Sequence, residues 1–322
     1  MLLAAVLVAC VSASEVADAR QPVSLEVRHE GAQPDPAASV LQGVARLQLQ
    51  GGDPRIGGFS SILRLPEPER LLLATDRGHL VDALLSFDDG GGLRGLAGAH
   101  IQRFPLSPTW SDDVEAMAVV DGRLLITTEG TARLPDRIIT LDGPVGEPAG
   151  VAEALAVTGL GLRPNRGFEA LVDLPGGGWL AVAETRIDGV FPALLHDGRR
   201  LDYVATDGFA PTGADRLGNR LFFVERSLSL LGGWRARITC LAVDALAEAG
   251  PLRPIRLAQL GIDDAVDNME GIAVWQRGED VEILIVSDDN FSALQRTLLL
   301  HYRWPGGASG GCGPSSHQEA EG

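Results

Sequence analysis

Cationic side chains are few. The chain has 27 arginines and no lysine, against 43 carboxylates, for a formal charge of −16. That balance excludes a nucleic-acid binder, which needs clustered cations to neutralise phosphates. It leaves room for a small anion held by a local arginine cluster. Cysteine is scarce, at three, and no C-x-x-C or Cys/His zinc spacing occurs, so no metal on sulfur is expected. Long apolar runs are missing, which excludes a membrane-spanning helix. Also missing are G-x-S-x-G and H-E-x-x-H, the signatures of the α/β-hydrolase elbow and of a zinc-protease helix. Glycine (40) and proline (19) are abundant, and with short apolar runs they favour many strands joined by turns. Hydrophobic residues make up 45% of 322 positions, too many for a disordered chain.

The first 20 residues read as a leader. The apolar run Leu2 to Ala9 resembles the centre of a secretory signal. Leu7-Val8-Ala9-Cys10 resembles a lipobox, whose cysteine would carry a lipid anchor, and Ala17-Asp18-Ala19 offers plain cleavage instead. Export to the periplasm or outer envelope is expected, with membrane anchoring through lipidated Cys10 as one form of it. Cys240 and Cys312 remain and could pair in an oxidising compartment. Cys312 itself lies in a Gly- and Ser-rich segment, 305–322, that reads as a flexible tail.

Between leader and tail the chain repeats. GFSSILRLPEPERLLLATD (58–76), DVEAMAVVDGRLLITTE (113–129), GFEALVDLPGGGWLAVAE (167–184), PTGADRLGNRLFFVE (211–225) and NMEGIAVWQRGEDVEILIVSD (268–288) share one plan. Each has a short strand, a turn, then a strongly apolar strand closed by an acid: Asp76, Glu129, Glu184, Glu225 and Asp288. The equivalent positions in the first strands are Ser60, Glu115, Glu169, Thr212 and Glu270, each 13 to 18 residues before its closing acid. That is a hairpin of nearly fixed register. The second strands are apolar on both parities, so both faces must be buried. Repeats of this kind, at about 40–50 residues and four strands each, specify an all-β β-propeller. The N-terminal strands near Val23–Val27 and Val44–Leu49 and the C-terminal strand Thr297–Tyr302 are left over. Joined into one further blade they would close the ring, giving six blades over a single domain, 21–304, with five or seven as alternatives. VAEALAV (151–157) and VDALAEA (243–249) are the best helix candidates.

First strands line the channel of a propeller, so Glu115, Glu169 and Glu270 should converge. Facing carboxylates repel, and must take up a proton or hold a cation. Calcium suits an irregular oxygen cage. SDDNFS (287–292) adds Asp288, Asp289 and Asn290 as oxygen ligands of that type. The closing acids Asp76, Glu129, Glu184 and Glu225 would stand one strand further out and support the inner ones. Arginines follow several of them, and Arg77, Arg133 and Arg226 are the candidates for holding an anionic substrate. Repeated acid–arginine pairs are equally read as salt bridges between blades. Asp263, Asp264 and Asp267 read as a solvated loop. His79 is the histidine to watch, and the tryptophans read as blade core.

These motifs resemble the bacterial "esterase-like activity of phytase" family. The matching stretches are IGGFSSI with LLLATDRG, DVEAMAV with LLITTEG, NRGFEAL with LAVAE, ADRLGNRLFFVERS with ARI, and DNMEGIAV with LIVSDDNFSALQRTLLL, roughly residues 55–303. The resemblance implies a propeller related to the phytases that hydrolyse phosphomonoesters of inositol phosphates with calcium in an acidic channel mouth and no covalent nucleophile. It carries over to Asp76, Arg77, Glu115, Glu129, Glu169, Glu184, Glu225, Arg226, Glu270, Asp288, Asp289 and Asn290. Glu115, Glu169 and Glu270 would be catalytic through the metal they hold. The expected function is thus a monomeric, exported, calcium-dependent hydrolase of a small anionic or ester substrate. Two rivals are a non-catalytic envelope propeller with structural metal, and a lactonase-type propeller built on Glu115, Asn165, Glu270 and Asn290.

Overall fold

Alternation within the apolar strands sets the architecture. Leu71, Leu72, Leu73 and Ala74 are all fully buried, yet Leu71 and Leu73 enter one core while Leu72 and Ala74 enter another. Leu221 and Phe223 likewise separate from Phe222 and Val224. A strand with two apolar faces needs a sheet on each side, and only a closed ring of sheets satisfies every strand at once. The computed structural model describes residues 20–66, 69–229 and 232–312. It is a β-propeller of five sheets.

Blade one runs outward through Phe59–Leu65, Arg70–Thr75, His79–Phe87 and Leu93–Arg103, with Gln21–Pro22 at its rim. Blade two comprises Val114–Val120, Arg123–Thr128, Asp136–Asp142 and Gly150–Val157. Blade three comprises Phe168–Asp173, Trp179–Ala183, Phe191–Leu195 and Arg200–Tyr203. Blade four comprises Ala210–Leu217, Arg220–Ser229, Gly233–Ala242 and Ile255–Leu260. Blade five begins with Asn268–Arg277, Asp280–Asp288 and Thr297–Trp304, then continues with Gln42–Gly51 and Leu25–Gly31. The first-named strands are innermost and touch one another in cyclic order, the fifth returning to the first. Five hydrophobic cores lie between the five pairs of neighbouring blades.

Among the described residues the expected sixth blade does not form. Each inner hairpin supplies only two strands of a four-stranded blade, and the hairpin at 268–288 has no outer strands of its own downstream except Thr297–Trp304. The N-terminal strands complete that blade instead of forming another: Gln42–Gly51 pairs antiparallel with Thr297–Trp304, with Leu47 opposite Leu299. Neither expected helix forms as such. Residues 150–157 are the outer strand of blade two, a position whose pairing outweighs local helix propensity, and 243–247 are a short 3-10 turn. In the segment expected as a tail, Gly307–Ser309 make a 3-10 turn. Arg220 donates to the carbonyls of Gly307 and Gly310, and Cys312 is disulfide-bonded to Cys240 with Cα atoms 5.4 Å apart. The leader, Cys10 and residues 313–322 lie outside the described residues.

Leu47 and Leu299 are both fully buried in the core between blades five and one. Leu47→Ala and Leu299→Ala should each lower stability by about 2–5 kcal/mol in denaturant unfolding. Because the two side chains are cross-strand neighbours, the double variant should lose less than the sum.

Candidate functional site

One irregularity recurs in every blade. The pairing of inner strand with second strand shifts register between Phe59 and Ser61, Val114 and Ala116, Phe168 and Ala170, Pro211 and Gly213, and Met269 and Gly271. The residue passed over is Ser60, Glu115, Glu169, Thr212 and Glu270 in turn, the five equivalent positions of the repeat. A β-bulge leaves one residue without a cross-strand partner and re-aims its side chain. The hydroxyl members spend this freedom on the ring. Ser60 Oγ donates to the Val114 carbonyl and Thr212 Oγ1 to that of Met269, each on the next inner strand. The glutamate members face the site. Backbone bonds fix the closing acids beside them: the N–H groups of Asp76, Glu129 and Glu184 donate to the carbonyls of Gly58, Asp113 and Gly167, at 2.9, 2.9 and 3.0 Å.

Carboxylates meet at the channel. One oxygen each of Asp113, Glu115 and Glu129 lies within 4.8 Å of the others, and the same holds for Glu129, Glu169 and Glu184. Glu129 belongs to both groups. Burial raises the Glu115 carboxyl well above its ordinary range, and Glu169, Asp113, Glu129 and Glu270 raise it further by repulsion. Burial also brings Glu129 up to about 7, against the pull of the Gly167 N–H, which it accepts at 2.6 Å. Asp76 reaches about 7 through burial and the nearby charges of Asp288 and Asp113.

Arg226 is the cation set among these acids. It donates to Glu270, to Glu169 and Glu184 at 3.3 Å each, and to the side-chain oxygen of Asn268. Burial works against its charge, but Glu270, Glu169 and Glu184 outweigh that and raise its pKa. Asn268 turns its amide toward Glu270 at 2.7 Å and Asp288 at 3.4 Å. Even so, burial lifts Glu270 to about 8, with Arg226 pulling down and Asp288 pushing up. Asp288 rises to about 6, again through burial first. The site opens into a cleft of 700 Å³ lined by Arg166, Glu184, Arg226, Ser227, Trp234 and Asn268 among others.

The structure therefore brings Glu115, Glu169 and Glu270 together, with Glu129 and Glu184 beside them rather than behind. Other candidates are spoken for. Glu225 accepts from the buried Tyr203 hydroxyl at 2.7 Å. Asp289 accepts from the Gly58 and Phe291 N–H groups and from Thr297 Oγ1. Asn290 is exposed, donates to Gln295 and lines the cleft with it. Arg77 stacks on the Phe291 ring, 3.4 Å from its centroid, and Arg133 is exposed on the loop after Glu129. Asn165 is exposed, its N–H bonded to the Gly130 carbonyl. The supposed solvated run divides: Asp263 is exposed, whereas Asp267 is buried and accepts from Asn268, Gln295 and Arg296. His79 is half-buried, its N–H on Thr75 Oγ1. Trp275 is blade core, while Trp234 borders the cleft.

Sequence reasoning passed over Asp113, Asn268 and Arg166. The signal was present. Asp113 and Asn268 stand two residues before the repeated glutamate in their modules, and Arg166 three before Glu169. Aligning the modules by that glutamate, rather than by the closing acid alone, singles them out.

No curated protein matches the chain. Three solved structures are similar in fold. An endo-arabinase from Bacteroides thetaiotaomicron is 13% identical over 76% of this chain and 94% of that one, with a TM-score of 0.49. A thermostable family-43 glycoside hydrolase is 10% identical over 76% and 89%, at 0.46. The soluble aldose sugar dehydrogenase from Escherichia coli is 8% identical over 87% and 99%, at 0.43. Likeness this distant says nothing of chemistry. Residues 54–291 match the Phytase-like family, described as esterase-like activity of phytase, and the chain belongs to that family.

Proposed function

We propose that the protein is an exported, cation-dependent hydrolase of ester bonds, with phosphate monoesters as the foremost substrates. The observation that carries this is the pair of overlapping carboxylate groups sharing Glu129 at the channel. So many buried acids with one arginine among them leave negative charge uncompensated, and a cation relieves it. The donor set fits calcium: every candidate ligand atom is a hard oxygen, and none is sulfur or imidazole nitrogen. Asp113, Glu115, Glu129, Glu169 and Glu184 would hold it, and Glu270 and Asp288 add to the negative charge that attracts it. When bound, calcium would polarise an ester oxygen and lower the pKa of water.

The residues divide the remaining work. Arg226 keeps Glu169, Glu184 and Glu270 in one arrangement and stands at the cleft, where it meets an anionic substrate. Arg166, which lines the cleft beside Arg226, extends the positive rim. Glu270, which is not among the residues that would hold the cation and whose carboxyl lies near 8, exchanges protons near neutral pH and suits acid–base work on the leaving oxygen. Pairing of Gln42–Gly51 with the last strand, Thr297–Trp304, supports a ring closed by N-terminal and C-terminal segments, which holds the five inner strands around the site. The Cys240–Cys312 bond supports an oxidising compartment. The charge of −16 disfavours polyanionic partners and is consistent with a monomer.

Purified protein supplied with calcium should hydrolyse p-nitrophenyl phosphate, and chelator should abolish the turnover. Glu129→Gln should lower kcat/KM on the order of 100-fold. A chelator-sensitive melting temperature without turnover on phosphate or carboxylic esters would show the metal to be structural and overturn the catalytic reading.

The pH dependence has a definite sign. Glu129, Glu270, Asp76 and Asp288 titrate at about 7, 8, 7 and 6 in the fold, above their ordinary values of 4.5, 4.5, 3.8 and 3.8. Between those limits the folded protein holds more protons than the unfolded chain, so stability falls as pH rises. Without cation, the melting temperature should drop from about pH 5 to about pH 8. Calcium should raise it, and more at the higher pH, in a calorimetric scan.

A further inference from the structure

Beside the cleft, at the junction of blades three and four, lies a second pocket of 260 Å³. Two tight turns build it. Arg163-Pro164-Asn165-Arg166 has proline second and a left-handed asparagine third (φ 52°), the pattern of a type II turn. A backbone bridge between Arg163 and Arg166 sets the two arginines side by side. Ile187-Asp188-Gly189-Val190 is a two-residue hairpin with both central residues left-handed (φ 50° and 92°). It positions Arg186 just before it, where Nε donates to the Gly189 carbonyl at 2.9 Å. Gly208, Phe209 and Ala210 form the remaining wall.

Charge in this pocket runs opposite to that of the molecule. Three arginines, Arg163, Arg166 and Arg186, line it with one carboxylate, Glu184. Arg186 also donates through Nη2 to the Ala205 carbonyl at 3.4 Å and lies over the Phe191 ring, which holds its guanidinium in place. Among the described residues Arg163 has no acidic partner. Glu184 is shared further: Arg166 donates to its Oε1 and Arg226 to its Oε2, at 3.2 and 3.3 Å. The same Glu184 belongs to the carboxylate group with Glu129 and Glu169. Arg166 and Glu184 line both the pocket and the cleft.

We propose that this pocket binds a tetrahedral oxyanion, phosphate or sulfate in chemistry, and that Arg166 couples it to the cation site. Guanidinium forks match such oxyanions. An anion here competes with Glu184 for Arg166 and offsets the positive charge that opposes a cation at Glu184. Anion and cation therefore bind with positive cooperativity, and by linkage each tightens the other equally. The coupling rests on the cation reading above; the anion pocket by itself does not.

Titration calorimetry on the full chain tests both parts. Sulfate, which avoids calcium phosphate precipitation, is titrated into chelator-treated protein, and calcium is then titrated with and without sulfate. Arg163→Ala with Arg186→Ala should weaken sulfate binding by about 10-fold or more, with an unchanged circular dichroism spectrum and a single cooperative unfolding transition as the control for folding. Arg163→Ala alone should weaken it in the same direction. Sulfate should tighten calcium binding by about 10-fold. Arg166→Gln should tighten calcium binding in the absence of sulfate and remove the sulfate effect. Sulfate affinity indifferent to Arg163 and Arg186 overturns the pocket while leaving the cation reading intact. Calcium affinity indifferent to sulfate overturns the coupling. Failure of calcium to bind at all overturns the cation reading and the coupling together, with the sulfate arm still deciding the pocket. Phenylphosphonate separates the sources of the anion: if it displaces sulfate, the group arrives on an organic substrate, and if only inorganic phosphate does, the ligand is a free ion.

Discussion

Repulsion among buried carboxylates is the constraint on which this site depends. Glu115, Glu129, Glu169 and Glu270 come from three blades, and each is drawn out of water beside the others. Left alone they would hold protons at neutral pH or force the blades apart. Arg226, threaded between Glu169, Glu184 and Glu270, relieves them from within, while the exposed Arg166 reaches Glu184 from outside. The charge of Arg226 is sustained in turn by these acids. A site so composed is poised: a proton, an arginine or an added cation can each carry the compensating charge, and exchange among the three is the chemistry it offers.

Repetition makes that concentration possible. The five bulges put an unpaired side chain at one level of every inner strand, and the residue chosen there decides between structure and chemistry. Ser60 and Thr212 hold neighbouring strands together. Among the described residues the side chains of Glu115, Glu169 and Glu270 bond no neighbouring backbone and accumulate charge instead, those of Glu169 and Glu270 reaching blade four through Arg226. The ring is thus uneven, with acids toward blades two, three and five, and arginines gathering where blades three and four meet. Opposite charges on adjoining walls of one cleft suit a ligand that is itself an anion accompanied by a cation.

Much of this was legible in the residues. LLLA and LFFV, apolar on both parities, announce strands covered on both faces, and each does divide its side chains between two cores. The equivalence of Ser60, Glu115, Glu169, Thr212 and Glu270 followed from hairpin spacing, although the bulge that makes them alike did not, since register is a property of paired strands. Blade number was misjudged because the outer strands carry no motif. VAEALAV has helical composition and is a strand only because Asp136–Asp142 lies beside it. Glu225 looks the same in sequence as Glu184, yet Tyr203 reaches one and Arg226 the other.

Local pattern alone therefore determined the strand-and-turn repeat, the acid at each repeat and the sign of the charge to be compensated, because these follow from side-chain period and composition. Only the tertiary structure decided that there are five blades, that Glu129 is shared between two carboxylate groups, and that Arg166 and Arg226 meet on Glu184. Those depend on which strands lie side by side, and distance between segments far apart in the chain is not encoded in the spacing of either one.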